Sequence, residues 1–380
     1  MSFTKHNPSW LNEMKIGYIC IKNAKTSGGV EKYTIEMARR LCTKGHEIFI
    51  YTTDKNDIPT IQGVHFVHVP SLRKGPLEKI TGSFVATFYA LCHGVDIFHY
   101  QAFGAGAFAF LPRCFGKTSV SQGHGIEWKR AKWGAFGKWI LLLTEKMSIE
   151  TSNSVLTVSK VQSEDIERRY NKKSEVIPGG ISPIDFSNNN VLESFDIEQG
   201  RYFLFVARLV AEKGAHYLID AFKNVRNRDI RLIIAGGFDR NDPYFCQLMN
   251  KAQSDKRIIF AGFQSQDNLS VLYTNALAYV IPSELEGLSL SLLDALAYGV
   301  PCIVSDIPEN LEALDGGRLG TVFANANISD LTDKLNYVIE HQAVAFKIAS
   351  KSKQFIRDHY SWDFLAEKLN CFYDNIYKAR

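Results

Sequence analysis

The stretch from Ile281 to Val304 constrains the fold more than any other part of the chain. It reads IPSELEGLSLSLLDALAYGVPCIV, which is an apolar run, an acidic loop, a strongly apolar stretch and a second apolar run. A helix is predicted from about Leu288 to Tyr298, because Gly299 followed by Pro301 stops a helix. A strand, loop, helix and strand in this order belong to a parallel sheet, so the sequence predicts an α/β fold.

Strand and helix patterns alternate along the rest of the chain as well. Apolar strand patterns are separated by stretches of helical character, among them Leu77–His93 and Ala102–Cys114. The polar stretch Ser187–Gly200 is typical of a linker. We therefore predict two doubly wound parallel sheets in two domains, residues 1–185 and 186–360, and an amphipathic helix over residues 361–380.

Composition is that of an ordinary globular protein. Of 380 residues, 46% are hydrophobic and 22% are charged. The longest apolar runs, Ser83–Cys92 and Ala102–Pro112, are shorter than the ~20 residues that span a bilayer. Residues 1–13 lack the apolar core of a signal peptide. Seven cysteines without a C-x-x-C pair are typical of reduced thiols, so we expect a cytoplasmic protein without disulfides or zinc.

Two carboxylates lie at the start of the predicted helix and inside it. Glu286 precedes the helix; Gly287 frees the backbone there, and Leu288, Ser289 and Leu290 would offer free backbone N–H groups to an anion. Asp294 lies inside the helix among apolar residues, where a carboxylate without partners is costly. The two are roughly 10 Å apart along a helix, which suits an elongated ligand. The alternatives are that Glu286 only complements the helix dipole and that Asp294 is solvated.

Two cations follow a strand-like run in the second half. Arg208 comes directly after the run that ends at Ala207, and Lys213 precedes a helical stretch. Both are therefore expected at the carboxyl edge of the sheet, where α/β folds bind ligands. Such a pair at a helix N-terminus could clamp a diphosphate, although solvated loop charges would give the same pattern.

Two features of the first half also fall where strands end. Gly28-Gly29 lies between the first strand and the first helix, a position that suits close backbone approach to a phosphate but also suits a plain turn. His124 follows a later strand. A lone histidine is more often a structural hydrogen-bonding residue than a functional one.

A basic and aromatic segment follows His124. Its cations and tryptophans are Trp128, Lys129, Arg130, Lys132, Trp133, Lys138 and Trp139. Residues 1–180 carry a net charge of +9 and residues 181–380 a net charge of −5, so the surplus of cations lies in the half that contains this segment. The pattern predicts peripheral contact with an anionic membrane. A core helix with a basic outer face is the alternative; single-stranded nucleic acid is a weaker one, because no nucleic-acid module matches.

Several of these motifs resemble family 4 retaining glycosyltransferases. Glu286 and Asp294 stand where that family has its E-x7-E pair, with aspartate in place of the second glutamate and Leu288-Ser289-Leu290 in place of aromatic-glycine-leucine. The other matching stretches are Gly28-Gly29-Val30-Glu31 for G-G-x-E, Pro178-Gly179-Gly180-Ile181 for the end of the first domain, and Arg208 to Gly214 for G-R-L-x-x-E-K-G, with Ala207 in place of its glycine.

The resemblance implies the GT-B arrangement, in which two Rossmann-like domains face each other across a cleft and the C-terminal helix crosses back to the first domain. The implied reaction is retaining transfer of a hexose from a nucleotide-diphosphate sugar to an acceptor hydroxyl. Cell-surface polysaccharide or glycolipid synthesis on a sugar or lipid-linked acceptor, at the inner face of the membrane, is the expected context. The donor is a substrate and no cofactor is expected. The sequence has no D-x-D or H-E-x-x-H motif, so a metal-independent reaction is predicted.

The resemblance also assigns roles to residues. His124 and Glu286 would hold the sugar, Arg208 and Lys213 the diphosphate, and Asp294 the ribose. Gly262 and Phe263 would line the base pocket, and Gly28-Gly29 would close over the phosphate. Two other functions remain open: a nucleotide-sugar epimerase or phosphorylase of the same fold, and a non-catalytic protein that binds nucleotide sugars.

Overall fold

The computed structural model describes residues 13–23, 28–54, 61–72, 76–130, 133–181 and 190–379. Its strands are β1 Lys15–Ile21, β2 Glu47–Thr52, β3 Val64–His68, β4 Ile97–Tyr100, β5 Thr118–Gly123, β6 Ser154–Thr157, β7 Glu175–Val176, β8 Tyr202–Val206, β9 Arg231–Ala235, β10 Ile258–Gly262, β11 Ala278–Ile281, β12 Cys302–Ser305 and β13 Thr321–Phe323.

The helices alternate with these strands. They are α1 Gly29–Thr43, α2 Pro76–Cys92, α3 Phe110–Cys114, α4 Ala135–Thr151, α5 Lys160–Tyr170, α6 Val191–Ser194, α7 Ala215–Lys223, α8 Pro243–Ala252, α9 Gln266–Asn275, α10 Leu290–Tyr298, α11 Pro308–Ala313, α12 Ile328–Glu340, α13 Gln342–Tyr360 and α14 Trp362–Lys378. Short 3-10 turns occur at Ala105–Phe108, Glu127–Lys129 and Ala211–Lys213.

The chain divides into two compact units. The first contains residues 1–124, 135–178 and 362–380, and the second contains residues 125–134 and 179–361. The short segment Gly125–Gly134 therefore belongs with the second unit, and α14 belongs with the first. The sequence-based boundary at residue 185 lies outside the described residues.

The first unit is built on a parallel sheet. The order of its described strands is β3-β2-β1-β4-β5-β6-β7. Helices α1 and α14 pack together on it, where Trp362, Leu365 and Tyr373 join the core of α1 and the central strands. Arg40 of α1 also pairs with Asp363 of α14 at 2.5 Å. The C-terminal helix is thus held by apolar contacts and by charge.

The second unit is built on another parallel sheet, with the described strands in the order β10-β9-β8-β11-β12-β13. Buried side chains fill both faces of this sheet, as expected where helices cover both sides. The order reverses between β8 and β11, the place where doubly wound sheets bind ligands beyond the carboxyl ends of their strands. The predicted pair of Rossmann-like parallel-sheet domains is confirmed.

Three local predictions differ in detail from the structure. The helix expected over Ala102–Cys114 is a 3-10 turn and the short helix α3, because Gly104 and Gly106 disfavour a continuous helix. The helix expected from Leu288 begins at Leu290, because Ser289 has an extended backbone and accepts a hydrogen bond from the Leu292 N–H at 3.4 Å. The stretch predicted as a linker contains α6, and Val191 of α6 is buried in the hydrophobic core of the second unit.

Candidate functional site

Two loops of the second unit lie against each other at the carboxyl edge of its sheet. One follows β8 and carries Arg208 and Lys213; the other follows β11 and carries Glu286. The Glu284 N–H donates to the Glu212 carbonyl at 2.9 Å. Gly214 has φ +71°, and a Cβ there would lie 2.0 Å from the Pro282 carbonyl oxygen. Glycine at this position therefore permits the close approach of the two loops.

This approach joins two of the predicted site residues directly. The Lys213 ammonium lies 2.5 Å from Glu286 Oε1, and Ser283 Oγ donates to the same oxygen at 2.7 Å. The side chains of Lys213 and Glu286 are only 16% and 5% exposed. Glu286 is therefore a buried, paired carboxylate, and a role limited to the helix dipole no longer describes it.

The loop that carries Glu286 is held in place by a series of hydrogen bonds between buried polar groups. Ser305 Oγ, at the end of β12, donates to the Ser283 carbonyl at 2.5 Å. The side-chain amide of Asn310 donates to Ser305 Oγ at 3.0 Å. All three side chains are buried. The sequence analysis did not identify Ser305 and Asn310 as supporting residues, although Ser283 lies within the stretch Ile281–Val304.

The N-terminus of α10 follows Glu286 after three residues. Ser289 caps it, so the first backbone N–H groups without a helical partner are those of Leu290 and Ser291, and Gly287 and Leu288 belong to the loop. Ser291 Oγ also lies 2.8 Å from the Tyr279 hydroxyl. The helix N-terminus is thus an ordered group of donors beside the Lys213 and Glu286 pair.

Asp294 lies one turn further along α10 and is partly exposed. Its charge contributes, after burial and Tyr279, to raising the pKa of Tyr273. Asp294 therefore lies close to a buried tyrosine and is not an isolated surface charge. Arg208 is exposed and pairs with no carboxylate among the described residues, so its guanidinium is available to a ligand.

Aromatic side chains surround the residues predicted for the base pocket. Gly262, with φ +68°, ends β10, and Phe263 after it is 71% exposed. Phe238, which follows Gly236-Gly237 at the end of β9, lies beside Gly262 and stacks on Phe245 at 4.0 Å. Gly236-Gly237, directly after a strand, could have indicated the loop that carries Phe238, but the sequence analysis did not use this glycine pair.

The segment Gly125–Arg130 brings further charges to the second unit. A Cβ on Gly125 would lie 3.4 Å from the Gly287 backbone, so the segment lies beside the Glu286 loop. Arg130 pairs with Glu127 at 3.1 Å and approaches Glu212 at 4.0 Å. The pKa of Glu309 is raised, mainly by burial. Lys129 lowers this pKa and Glu286 raises it, so the three charges lie close together.

The remaining residues of the basic and aromatic segment differ in exposure. Trp128 and Trp133 are partly buried, and Lys129 lies over the Trp128 ring at 5.7 Å. Lys138 is partly exposed and Trp139 is 59% exposed on α4. Lys132 lies outside the described residues. The segment is therefore not one uniform surface.

The first unit contains the other two predicted features. Gly28 is the N-cap of α1, and Glu31 folds back over it, so that a Cβ on Gly28 would lie 2.2 Å from the Glu31 carboxylate. Gly29 begins the helix and is exposed. Residues 24–27 of this loop lie outside the described residues.

His124 is partly buried just after β5. Its Nε2 lies 2.7 Å from Gln101 Oε1, and its ring meets Tyr33 edge-on at 5.1 Å. Burial and the nearby Lys79 lower the pKa of His124 to about 3. The imidazole is therefore neutral at neutral pH. Because a glutamine oxygen only accepts, Nε2 carries the proton and Nδ1 is left as an acceptor.

The structure thus brings Lys213 and Glu286 together beside the N-terminus of α10, with Asp294 on the same helix. His124 and Gly28-Gly29 lie in the first unit. Among the described residues no three His, Cys, Asp or Glu side chains are grouped to hold a metal ion, and the metal-free reaction stays a prediction. Within the same residues, no helix has the length and apolar character needed to span a membrane.

Two doubly wound domains, the second with paired charges at its carboxyl edge, define the GT-B class of glycosyltransferases. Family models agree with this class. The model of glycosyl transferases group 1 matches residues 189–362, and the model of glycosyltransferase family 4 matches residues 27–184. The chain therefore belongs to the family 4 glycosyltransferases, and the resemblance found in the sequence is confirmed.

Individual proteins show the same relationship. An uncharacterised glycosyltransferase of Methanocaldococcus jannaschii is 26% identical over 379 residues, which cover 92% of this chain and 94% of that protein. The structure of sucrose-phosphate synthase from Thermosynechococcus elongatus is similar with TM-score 0.85 at 18% identity, covering 97% of this chain and 100% of that one. Anabaena HepE in complex with UDP-glucose has TM-score 0.79 at 15% identity, covering 96% and 100%.

Proposed function

We propose that this glycosyltransferase transfers a hexose from a nucleotide-diphosphate sugar to an acceptor hydroxyl with retention of anomeric configuration and without a metal ion. The observation that carries the proposal is the Lys213 and Glu286 pair, buried beside the N-terminus of α10. A cation, a carboxylate and free backbone N–H groups together suit a ligand that is anionic at one end and carries hydroxyls at the other.

In the proposed reaction the bond between C1 of the hexose and the diphosphate oxygen breaks, a bond forms between C1 and the acceptor oxygen, and the proton of the acceptor hydroxyl passes to the departing diphosphate. Negative charge develops on the departing diphosphate. Arg208, Lys213 and the N–H groups of Leu290 and Ser291 would stabilise that charge, because fixed cations and dipoles act without reorganisation. Glu286 would accept hydrogen bonds from sugar hydroxyls while Ser283 holds its carboxylate in place.

The other residues receive the roles that the family resemblance implies. Asp294 would accept hydrogen bonds from the ribose, and the backbone of Gly262 and Phe263 would line the base pocket. His124 would contact the sugar through its neutral ring, and Gly28-Gly29 would approach the phosphate. HepE is a similar structure solved with UDP-glucose, which supports a nucleotide-sugar donor for this fold.

The acceptor is proposed to be a sugar or a lipid-linked sugar of a cell-surface polysaccharide or glycolipid, at the inner face of the membrane. The cation surplus of residues 1–180 and the segment Trp128–Trp139 support this context. Changing Lys129, Arg130, Lys132 and Lys138 together to serine should weaken co-sedimentation with acidic liposomes. Unchanged co-sedimentation would favour a soluble acceptor.

The experiment that tests the reaction follows donor turnover and product stereochemistry. Nucleotide sugars are incubated with candidate lipid-linked and free sugar acceptors, with and without EDTA, and the anomeric proton of the product is read by NMR. The proposal expects acceptor-dependent release of nucleotide, an unchanged anomeric configuration and no effect of EDTA. Donor consumption without any acceptor, or consumption that requires phosphate, would instead identify an epimerase or a phosphorylase.

A further inference from the structure

One face of the first unit carries a continuous layer of helices. The turn Ala105–Phe108 contacts both α2 and α4, so these three elements lie side by side. The contact with α4 is close, because a Cβ on Gly106 would lie 2.0 Å from Ser148 Oγ. Neighbouring helices pack at ~10 Å. We call α2, the turn Ala105–Phe108 and α4 the α2–α4 layer.

The α2 helix turns small residues inward and aromatic residues outward. Ala86 and Ala90 are buried in the core cluster that includes Phe98 and Tyr100 of the sheet. On the outer side Phe84 and Phe88 remain 43% and 42% exposed, with their rings edge-on at 4.9 Å. From Ile80 to Cys92 the sequence contains no charged residue. The outer surface of α2 is therefore apolar over most of its length.

The α4 helix presents a second apolar stripe in the same layer. Phe136 and Trp139 are 74% and 59% exposed, and their rings stack at 6.1 Å. Leu143, one turn further, is also exposed. Spacing of three and four residues places all three on one side of the helix. Exposed apolar residues grouped on neighbouring helices mark an interaction surface.

The charges of this surface are mostly positive where they reach solvent. Arg113 of α3, which contacts α2, and Lys146 of α4 are exposed. The carboxylate of Glu78 accepts a hydrogen bond from Thr53 at 3.1 Å, and Glu145 is buried against Arg169. Glu150, paired with Lys146 at 3.8 Å, is an exposed exception. Aromatic side chains bordered by cations match the interfacial region of an anionic bilayer.

We propose that the aromatic surface of the α2–α4 layer is the part of this protein that inserts into the interface of an anionic membrane. The surface lies on two neighbouring helices with exposed cations nearby, within a half of the chain of net charge +9. A second copy of the same face would meet like charge, whereas acidic lipid meets opposite charge. The proposal deepens the membrane contact proposed above by assigning it to Phe84, Phe88, Phe136, Trp139 and Leu143. It requires neither donor nor acceptor.

The test is co-sedimentation of the full chain with vesicles of phosphatidylcholine alone and with phosphatidylglycerol added. Two variants remove different parts of the surface: Phe84→Ser with Phe88→Ser, and Trp139→Ser with Leu143→Ser. The control, Tyr337→Ser with Phe346→Ser, removes two aromatic residues of the second unit that are 42% and 41% exposed. Serine has a helix propensity similar to that of phenylalanine and tryptophan and modestly below that of leucine, so the helices should persist, and circular dichroism checks this.

The wild type and the control should bind acidic vesicles. The affinity of each surface variant for these vesicles should be lower by a factor of about ten or more, as expected for losing half-exposed aromatic side chains. Equal binding by wild type and both surface variants would overturn the proposal. So would an equal loss in the control, or a dimer in sedimentation velocity that the surface variants dissolve. Donor turnover measured without vesicles should be unchanged in the surface variants, so failure of docking is distinguishable from failure of the proposed reaction.

Discussion

Lys213 and Glu286 form a buried ion pair, with 2.5 Å between the ammonium and Oε1, although the sequence motifs assign them to different parts of one ligand. Lys213 follows β8 and Glu286 follows β11, the two strands between which the sheet order reverses. The pair therefore joins the two loops that border the proposed donor site. An incoming diphosphate would share the lysine with a carboxylate that Ser283 already holds.

Replacing Lys213 by alanine is predicted to affect both turnover and folding. Turnover should fall about a hundredfold or more, the usual loss when a preorganised charge stabiliser is removed. Stability should also fall, by about 3 kcal/mol, because Glu286 becomes a buried charge without its cation. Steady-state kinetics and thermal melts measure the two effects.

A second substitution isolates the effect on stability. Glu286→Gln in the Lys213→Ala background removes the unpaired charge, so the melting temperature should recover, while turnover stays low because both proposed donor-binding groups are then lost. Recovery of turnover together with stability would show that Lys213 has only a structural role.

The sequence predicted the fold well because its signals are local and repeated. The prediction of two parallel sheets depends on the alternation of strand and helix patterns. Apolar runs such as Tyr202–Val206 can be recognised directly in the sequence. The start of α10 was misplaced by two residues because an apolar leucine at position 288 extended the pattern past the capping Ser289.

The candidate site was predictable only in part. Arg208, Lys213 and Glu286 could be selected because each follows or precedes a recognisable element. Their pairing could not, because Lys213 and Glu286 are 73 residues apart and meet only through the fold. The support from Ser305 and Asn310 depends likewise on contacts between separate strands and helices.

Asp294 is predicted to contribute to nucleotide affinity. Asp294→Asn should weaken binding of the free nucleotide by about 1.5 to 3 kcal/mol, the value of hydrogen bonds to a charged acceptor. Asp294→Glu restores the residue usual in the family and should be tolerated. Isothermal titration with nucleoside diphosphates measures both, and an Asn variant with wild-type affinity would make this carboxylate structural.

Gln101 is predicted to orient His124, whose ring is neutral because burial lowers its pKa. Gln101→Glu places a carboxylate where Oε1 now lies 2.7 Å from Nε2, which should raise the pKa of His124 from about 3. Donor kcat/KM should then become dependent on pH between 5 and 8 in the variant, whereas the wild-type profile should show no titration of His124 there. Gln101→Met, which adds no charge, serves as the control. Identical pH profiles for wild type and Gln101→Glu would contradict this orientation.

Buried histidines should also make the first unit sensitive to acid. Burial and the neighbouring His124 lower the pKa of His99 to about 3, from 6.5 in the unfolded chain. The unfolded state then binds more protons between those values, so stability present above pH 6.5 is lost as the pH falls towards 3. For His99 the loss at pH 5 is about 2 kcal/mol. Denaturation at pH 7 and pH 5 should show a smaller difference in His99→Gln, and an unchanged difference would show that His99 is not responsible.

The central claim, that the second unit binds a nucleotide-sugar donor through the Arg208 and Lys213 loop, is tested most directly by thermal melts against a panel of nucleotide sugars. At least one should stabilise the wild type, by about 2.7 kcal/mol at a hundredfold excess over its Kd. Arg208→Ala should melt like the wild type without ligand, because Arg208 is exposed, and should lose most of the ligand-induced shift. No shift with any nucleotide sugar, or an equal shift in Arg208→Ala, would contradict the claim.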